Sequence, residues 1–186
     1  KNAVVNVVAV AELDPIRRER ALSEYPGCKV YEDYRDFYER DDIDIVLNST
    51  YSQDHYAIAK DLLENGMNVI VEKPFARNYT EAKALTEAFE EKGVPLYVGH
   101  YRRALPRFLK LRQMLQDQVI GEVRSIDFYL NRIFSPKEAQ NTWLYNPVLS
   151  GGGKYFDIAP HTVDIINFLF GNIKEVESCV ENLGVG

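Results

Sequence analysis

The chain has 186 residues, with 22 lysines and arginines against 28 aspartates and glutamates, for a formal charge of −6 with its three histidines neutral; that sign argues against a nucleic-acid partner. Hydrophobic residues make up 46% of the chain, which supplies a core and excludes intrinsic disorder, while the longest apolar runs are too short to cross a bilayer. Two cysteines, Cys28 and Cys179, cannot build a disulfide framework, and with no charged-then-apolar leader the expected setting is the reducing cytoplasm.

Val4 to Ala11 is a nearly continuous β-branched run, suited to a strand covered on both faces of a parallel sheet. It ends at Glu12. Asp14-Pro15 supplies an N-cap and a proline for the first helical position, so a helix is expected toward Tyr25, stopped by Pro26-Gly27. A short strand follows around Cys28 to Tyr31, then a small helix holding Tyr34, Phe37 and Tyr38. Ile43 to Leu47 is a further buried strand that leads into the polar stretch Asn48 to Ser52. The spacing of Ile58, Leu62 and Leu63 predicts a helix from about Asp54 to Asn65, ended by Gly66. Val69-Ile70-Val71 repeats the strand pattern, Thr80 is positioned to cap a helix that Gly93 ends, and Pro95 to Val98 gives one more strand. Strand and helix alternate throughout, the pattern of an α/β, doubly wound parallel sheet.

Near residue 104 the pattern changes, and a domain boundary is expected there, with residues 1–103 as a first domain and 104–186 as the start of a second. Pro106 opens a helix through Leu115. Val123 to Phe134 alternates with period two, as in an antiparallel sheet with one polar face, and Val176 to Val180 resembles a second strand of that sheet. Gly151-Gly152-Gly153 opens a helix that runs to Phe170 and is halted by Gly171. Tyrosines and phenylalanines on the helix faces are expected in the core.

On that last helix Asp157, His161 and Asp164 stand at offsets of zero, four and seven, which places them on one stripe of an otherwise apolar cylinder. Ionisable groups on a buried helix cost several kcal/mol unless paired or used. A histidine held by a carboxylate is what a general base for a hydroxyl proton requires. Two other readings stay open: a structural trio in which Asp157 holds a core histidine, and a metal site, for which the helix lacks a second histidine. Glu72-Lys73-Pro74 directly follows a buried strand, where ligands collect in open α/β sheets, so Lys73 is either a binder of a substrate oxygen or a solvated strand-end lysine. Thr50, Ser52 and His55 occupy the equivalent crevice after the preceding strand, ahead of a helix N-terminus suited to anionic or ribose groups. Glu12 ends the first strand where a dinucleotide fold uses a carboxylate for a ribose hydroxyl, although an exposed structural glutamate fits equally. No complete G-x-G-x-x-G precedes it. His100 reads as structural.

Together these segments resemble the glucose-fructose oxidoreductase/inositol dehydrogenase family of NAD(P)-dependent enzymes. Val69-Ile-Val-Glu-Lys-Pro-Phe-Ala76 is similar to its E-K-P signature, and Gly151 to Asp164 to its G-G-G…D-x-x-x-H-x-x-D segment. Thr50 to His55 matches the T-P-N-x-x-H element loosely, with Tyr51 for proline and Ser52 for asparagine. Val98 to Pro106 resembles the strand and arginine that end the nucleotide domain, and Ala159 stands where the family usually has glycine.

The resemblance implies a Rossmann-type domain followed by an α+β domain with an open antiparallel sheet, and hydride transfer between nicotinamide and a CH–OH carbon of a sugar or polyol. It implies Lys73, Asp157 and His161 as catalytic residues: His161 moves the hydroxyl proton, Lys73 polarises the reacting oxygen and Asp157 positions both. Glu12, Thr50, Ser52, His55, Glu72, Lys73, Pro74 and Arg102 are the implied cofactor-binding set, with NAD expected over NADP because Glu12 repels a 2′-phosphate. No metal, nucleic acid or membrane partner is expected, and the antiparallel sheet is the expected surface for a homo-oligomer. A non-catalytic dinucleotide-binding regulator and an NAD-assisted glycoside hydrolase are the alternatives. With the first strand and glycine loop not visible, the chain reads as an interior fragment of a longer enzyme, expected to be inactive alone.

Overall fold

The computed structural model describes residues 5–129, 143, 146–150 and 153–178. Strand β1 (Ala9–Ala11) and strand β2 (Lys29–Tyr31) pair in parallel, from Ala9 opposite Lys29 to Ala11 opposite Tyr31, with helix α1 (Pro15–Glu24) as the crossover. Asp14 caps α1 as its sequence foretells, its carboxylate accepting the Ile16 and Arg17 amides at 2.8 and 3.4 Å. A 3₁₀ turn (Tyr34–Phe37) leads to β3 (Val46–Asn48), α2 (His55–Glu64), β4 (Val69–Val71), α3 (Tyr79–Lys92) and β5 (Tyr97–Val98). These three strands form a second parallel ladder in the order β3-β4-β5. Among the described residues no ladder joins β1 to β3.

The strands are shorter than the apolar runs suggest. Only Ala9–Ala11 of the first run is in a ladder, and Val4 lies outside the described residues. The cap of α3 is Asn78 rather than Thr80: the Asn78 side chain accepts the Glu81 amide at 3.0 Å, and Thr80 falls inside the first turn. Gly93 closes α3 at a φ of 65°, a left-handed conformation that glycine adopts without strain.

The core lies between the second ladder and helices α2 and α3. Val46, Val69 and Val71 face Ala59, Leu62, Leu63, Leu85 and Phe89, and burying each larger side chain contributes roughly 1.5–3 kcal/mol. Strand side chains alternate, and the opposite face of these strands is open, with Leu47 56% exposed and Ile45 and Tyr97 also exposed. Cover on both faces, expected from the apolar runs, is therefore not found for β3, because the helices packed on it lie on one side only. The aromatic residues divide in the same way. Phe37 and Phe89 are buried, whereas Tyr25, Tyr79, Tyr155 and Phe170 stay exposed, since their faces meet no packed element.

After β5 come a 3₁₀ turn (Tyr101–Ala104), α4 (Pro106–Gln116), the short α5 (Pro147–Ser150) and α6 (Gly153–Phe170), which ends before Gly171 at a φ of 88°. Helix α4 packs on α6, with the Arg112 guanidinium 4.5 Å from the Phe168 ring centroid. Pro160 inside α6 has no N–H for the Phe156 carbonyl and loosens that turn. Residues 123–129 and 176–178, expected as antiparallel strands, carry no ladder among the described residues. The remainder of those two segments, with Gly151 and Gly152, lies outside the described residues.

Candidate functional site

Each expected binding segment stands at the carboxyl end of its own strand: Glu12 after β1, Thr50 after β3, Glu72 to Pro74 after β4, and Gly99 to Arg102 after β5. Two ties hold the last three segments together and a third joins them to α6. His55, only 1% exposed at the start of α2, has Nδ1 2.8 Å from the Pro74 carbonyl and Nε2 3.0 Å from the Thr50 carbonyl. Each ring nitrogen that carries a proton donates to the carbonyl oxygen it faces. Asn48 completes the tie, donating to the His55 carbonyl at 3.2 Å and accepting the Thr50 hydroxyl at 2.8 Å. Glu72 supplies the second. Its carboxylate accepts the Lys73 amide at 3.1 Å and lies over Gly99, where an added Cβ would stand 2.9 Å from it. The third is Arg103, whose Nε and Nη2 donate to Asp164 Oδ1 at 2.8 and 2.5 Å.

Lys73 reaches across to α6. Its Nζ donates to Asp157 Oδ1 at 2.5 Å and to the Asp157 carbonyl at 3.0 Å, in the turn that Pro160 loosens. His161, one turn on, is 9% exposed, and Tyr101 meets its ring edge to face at 5.5 Å between centroids. The stripe on α6 is thus divided: Asp157 is taken by Lys73, Asp164 by Arg103, and His161 stands between them with its Nδ1 buried and, among the described residues, without a hydrogen-bond partner. Asp157 therefore does not serve as the histidine's hydrogen-bonded carboxylate. No group of three or more metal-ligating side chains forms among the described residues.

Burial, followed by the positive charges of Arg102 and Lys73, pushes the His161 pKa below the ordinary histidine value, with Asp157 pulling the other way. His100 is lowered too, chiefly by burial, although Asp164 at 3.8 Å opposes this. His161 is therefore a neutral imidazole near pH 7 and able to take a proton.

The remaining expected residues fall around this centre. Ser52 is buried three residues before His55, and Arg102, whose buried Nε has no partner among the described residues, is close enough to influence His161. Glu12 lies apart on β1. Its carboxylate accepts the Asp14 amide at 3.0 Å and faces Arg17 at 3.7 Å. Tyr101, Arg103, Gly99 and Asn48 were not legible as site residues. Gly99 is found by its place directly after a strand, and the others only by contacts distant in sequence. The Tyr51 and Trp143 rings, 5.3 Å apart, add another link between the two halves of the chain.

A parallel α/β sheet with a lysine, an aspartate and a histidine converging beyond its strand ends defines a Rossmann-type oxidoreductase scaffold. Residues 1–100 match the model of the oxidoreductase family with NAD-binding Rossmann fold, and residues 108–185 match the GFO/IDH/MocA C-terminal domain. The chain belongs to the GFO/IDH/MocA oxidoreductase family. It is 36% identical over 149 residues to Oxidoreductase P35 of Formosa agariphila, covering 77% of this chain and 46% of that protein. Among solved structures, levoglucosan dehydrogenase in complex with NADH and levoglucosan superposes with a TM-score of 0.73 at 27% identity, over 89% of this chain and 45% of that one. KijD10, a 3-ketoreductase from Actinomadura kijaniata in complex with NADP and TDP-benzene, gives 0.76 at 26%, over 91% and 51%. The chain spans about half the length of the curated relatives it matches. No helix among the described residues is long and apolar enough to cross a membrane.

Proposed function

We propose that the protein is an NAD-dependent dehydrogenase that interconverts a CH–OH group of a sugar or polyol and the corresponding carbonyl. The observation that carries this reading is the Lys73–Asp157 contact: it brings an ammonium from the nucleotide half within one helical turn of a neutral, buried histidine. A bound nicotinamide would supply the hydride acceptor, and the protein's part is binding, orientation and proton transfer. Glu12, after β1, would accept the ribose hydroxyls, and the loop from Thr50 to His55 with the turn at Glu72 to Pro74 would line the crevice.

Lys73 Nζ, with one proton beyond the two it gives Asp157, donates to the substrate oxygen and stabilises negative charge there. His161 takes the hydroxyl proton through Nε2 as the carbon loses hydride, and returns it in the reverse direction. Asp157 fixes the ammonium, not the imidazole. NAD is favoured over NADP because the Glu12 carboxylate repels a 2′-phosphate, while Arg17 faces both Glu12 and Asp14 and Arg18 donates to the Glu12 and Leu13 carbonyls.

Relatives point to the same substrate class, since levoglucosan dehydrogenase and scyllo-inositol 2-dehydrogenase act on a sugar derivative and a polyol. The test is nicotinamide reduction by the protein made from its full coding sequence, across a panel of sugars, inositols and sugar acids. Turnover that His161→Gln abolishes supports the reading. Dinucleotide binding without turnover on any CH–OH compound would overturn it in favour of a regulator.

A further inference from the structure

We propose that Tyr101 is the positioning residue for His161: its ring sets the orientation of the imidazole, and Arg103 on Asp164 holds that ring in place. The inference rests on the dehydrogenase reading above, which gives His161 its proton-transfer role.

A histidine that moves protons is ordinarily fixed by a hydrogen bond on the nitrogen not facing the substrate. Among the described residues His161 finds none: its Nδ1 is buried without a partner there, and the carboxylate a turn before it is engaged by Lys73. Rotation of the ring is then limited by packing, and the aromatic group packed on it is Tyr101, centroids 5.5 Å apart and planes at 83°. Such an edge-to-face pair attracts beyond what burial alone supplies. Tyr101 is itself 57% exposed. A tyrosine so exposed gains little from its own burial, while the imidazole beneath it is nearly closed off.

The tether is short. Tyr101 opens the 3₁₀ turn that contains Arg103, and Arg103 clamps Asp164, three residues beyond His161 on the same helix. Arg103 also lies over the Phe168 ring at 5.7 Å, one further turn along. The two aromatic rings are therefore linked by one turn of backbone, one ion pair and one turn of α6, which leaves little freedom between them.

The charged and titratable groups around His161 come from every packed element. Lys73 approaches from the turn after β4, and His100 and Arg102 from the segment after β5; Asp157 and Asp164 lie on its own helix, while α4 turns Arg112 toward Phe168. Removing the Tyr101 ring leaves these charges in place and admits water to the imidazole. Since burial is the largest influence lowering the His161 pKa, that change moves its titration upward.

The experiment uses protein made from the full coding sequence with ¹³C-labelled histidine. The His161 resonance is assigned by its loss in His161→Gln, and its titration is followed in wild type, Tyr101→Phe and Tyr101→Ala. Tyr101→Ala should titrate at higher pH and Tyr101→Phe as wild type, because the ring and not the hydroxyl makes the contact. With substrate, kcat of Tyr101→Ala should fall about 10- to 100-fold with a much smaller change in KM. Arg103→Gln should weaken cross-relaxation between the Tyr101 and His161 rings. An unchanged titration and kcat in Tyr101→Ala, or a phenylalanine variant that behaves like alanine, overturns the proposal. Turnover retained in His161→Gln would instead sink the dehydrogenase reading, while the titration shift would still report the ring contact.

Discussion

Replacing Lys73 with methionine keeps an apolar stem one atom shorter and removes the ammonium, both its charge and its N–H donors. The ammonium lies 2.5 Å from Asp157 Oδ1. At that separation the Coulomb attraction is on the order of 7 kcal/mol at an effective dielectric constant near 20. Most of this is offset by the solvation both groups give up, leaving about 1.5–3 kcal/mol for a charge-assisted hydrogen bond. The kinetic effect is larger, because the same ammonium is assigned to the reacting oxygen: kcat should fall roughly 10²–10⁴-fold, with a much smaller change in dinucleotide affinity. The pH profile gives the sharper result. Lys73 is one of the cations that, after burial and Arg102, lower the His161 pKa, and Asp157 raises it. The acid limb of kcat/KM should therefore move to higher pH in Lys73→Met and to lower pH in Asp157→Asn. Stopped-flow nicotinamide absorbance across the pH range measures both. Near-normal turnover in Lys73→Met, or limbs that move in the same direction, would refute the assignment of His161 as the proton acceptor beside this pair.

His55→Ala removes a hydrogen bond to a partly buried carbonyl and opens a cavity where the imidazole was, so it should cost about 2–4 kcal/mol; a urea midpoint lowered by less than about 1 kcal/mol equivalent would show that His55 does not bridge Thr50 and Pro74. Gly99→Ala should push the Glu72 carboxylate off the Lys73 amide for about 1 kcal/mol, with the loss largely absent in a Glu72→Ala background; equal costs in both backgrounds would contradict the contact. Protein made from the full coding sequence should bind NAD more tightly than NADP in calorimetric titration, and Glu12→Ala should move the ratio about tenfold toward NADP by removing the carboxylate that repels a 2′-phosphate; tighter NADP binding by the unaltered protein would contradict the role of Glu12. His100 and His161 both have lowered pKa values when folded, so their contribution to stability is full above the ordinary histidine pKa and lost as pH falls through the folded values. Thermal midpoints should decline over that acidic range, and less steeply in His161→Gln.

Alternation of strand and helix was legible because each crossover carries its own punctuation. Asp14-Pro15 and Gly93 are local signals, read by the residues beside them, and the structure uses both. Strand length was not legible in the same way. The run from Val5 to Ala11 is apolar except at Asn6, yet only its last three residues pair, because a ladder needs a partner at matching register and composition carries no information about register. Thr80 and Asn78 show the same limit on a smaller scale: both are good capping residues, and the one whose side chain reaches an amide three residues on is decided by where the backbone turns.

The site divides along the same physical line. Lys73 and the stripe of Asp157, His161 and Asp164 could be found because a strand end and a helical period are properties of neighbouring residues. Their partners could not. Asp157 was expected beside His161 from helix spacing alone, but residues four apart on a helix compete with any stronger partner that tertiary structure delivers, and Lys73, 84 positions earlier, is a cation at 2.5 Å. A cation wins that competition against a neutral imidazole because its attraction to a carboxylate is a full charge pair. Pro160 contributes by loosening the turn whose Asp157 carbonyl Lys73 also takes. With Asp157 so engaged, what orients His161 must come from another element, and Tyr101, an aromatic residue between a histidine and an arginine in the sequence, gives no local sign that it faces an imidazole sixty positions away.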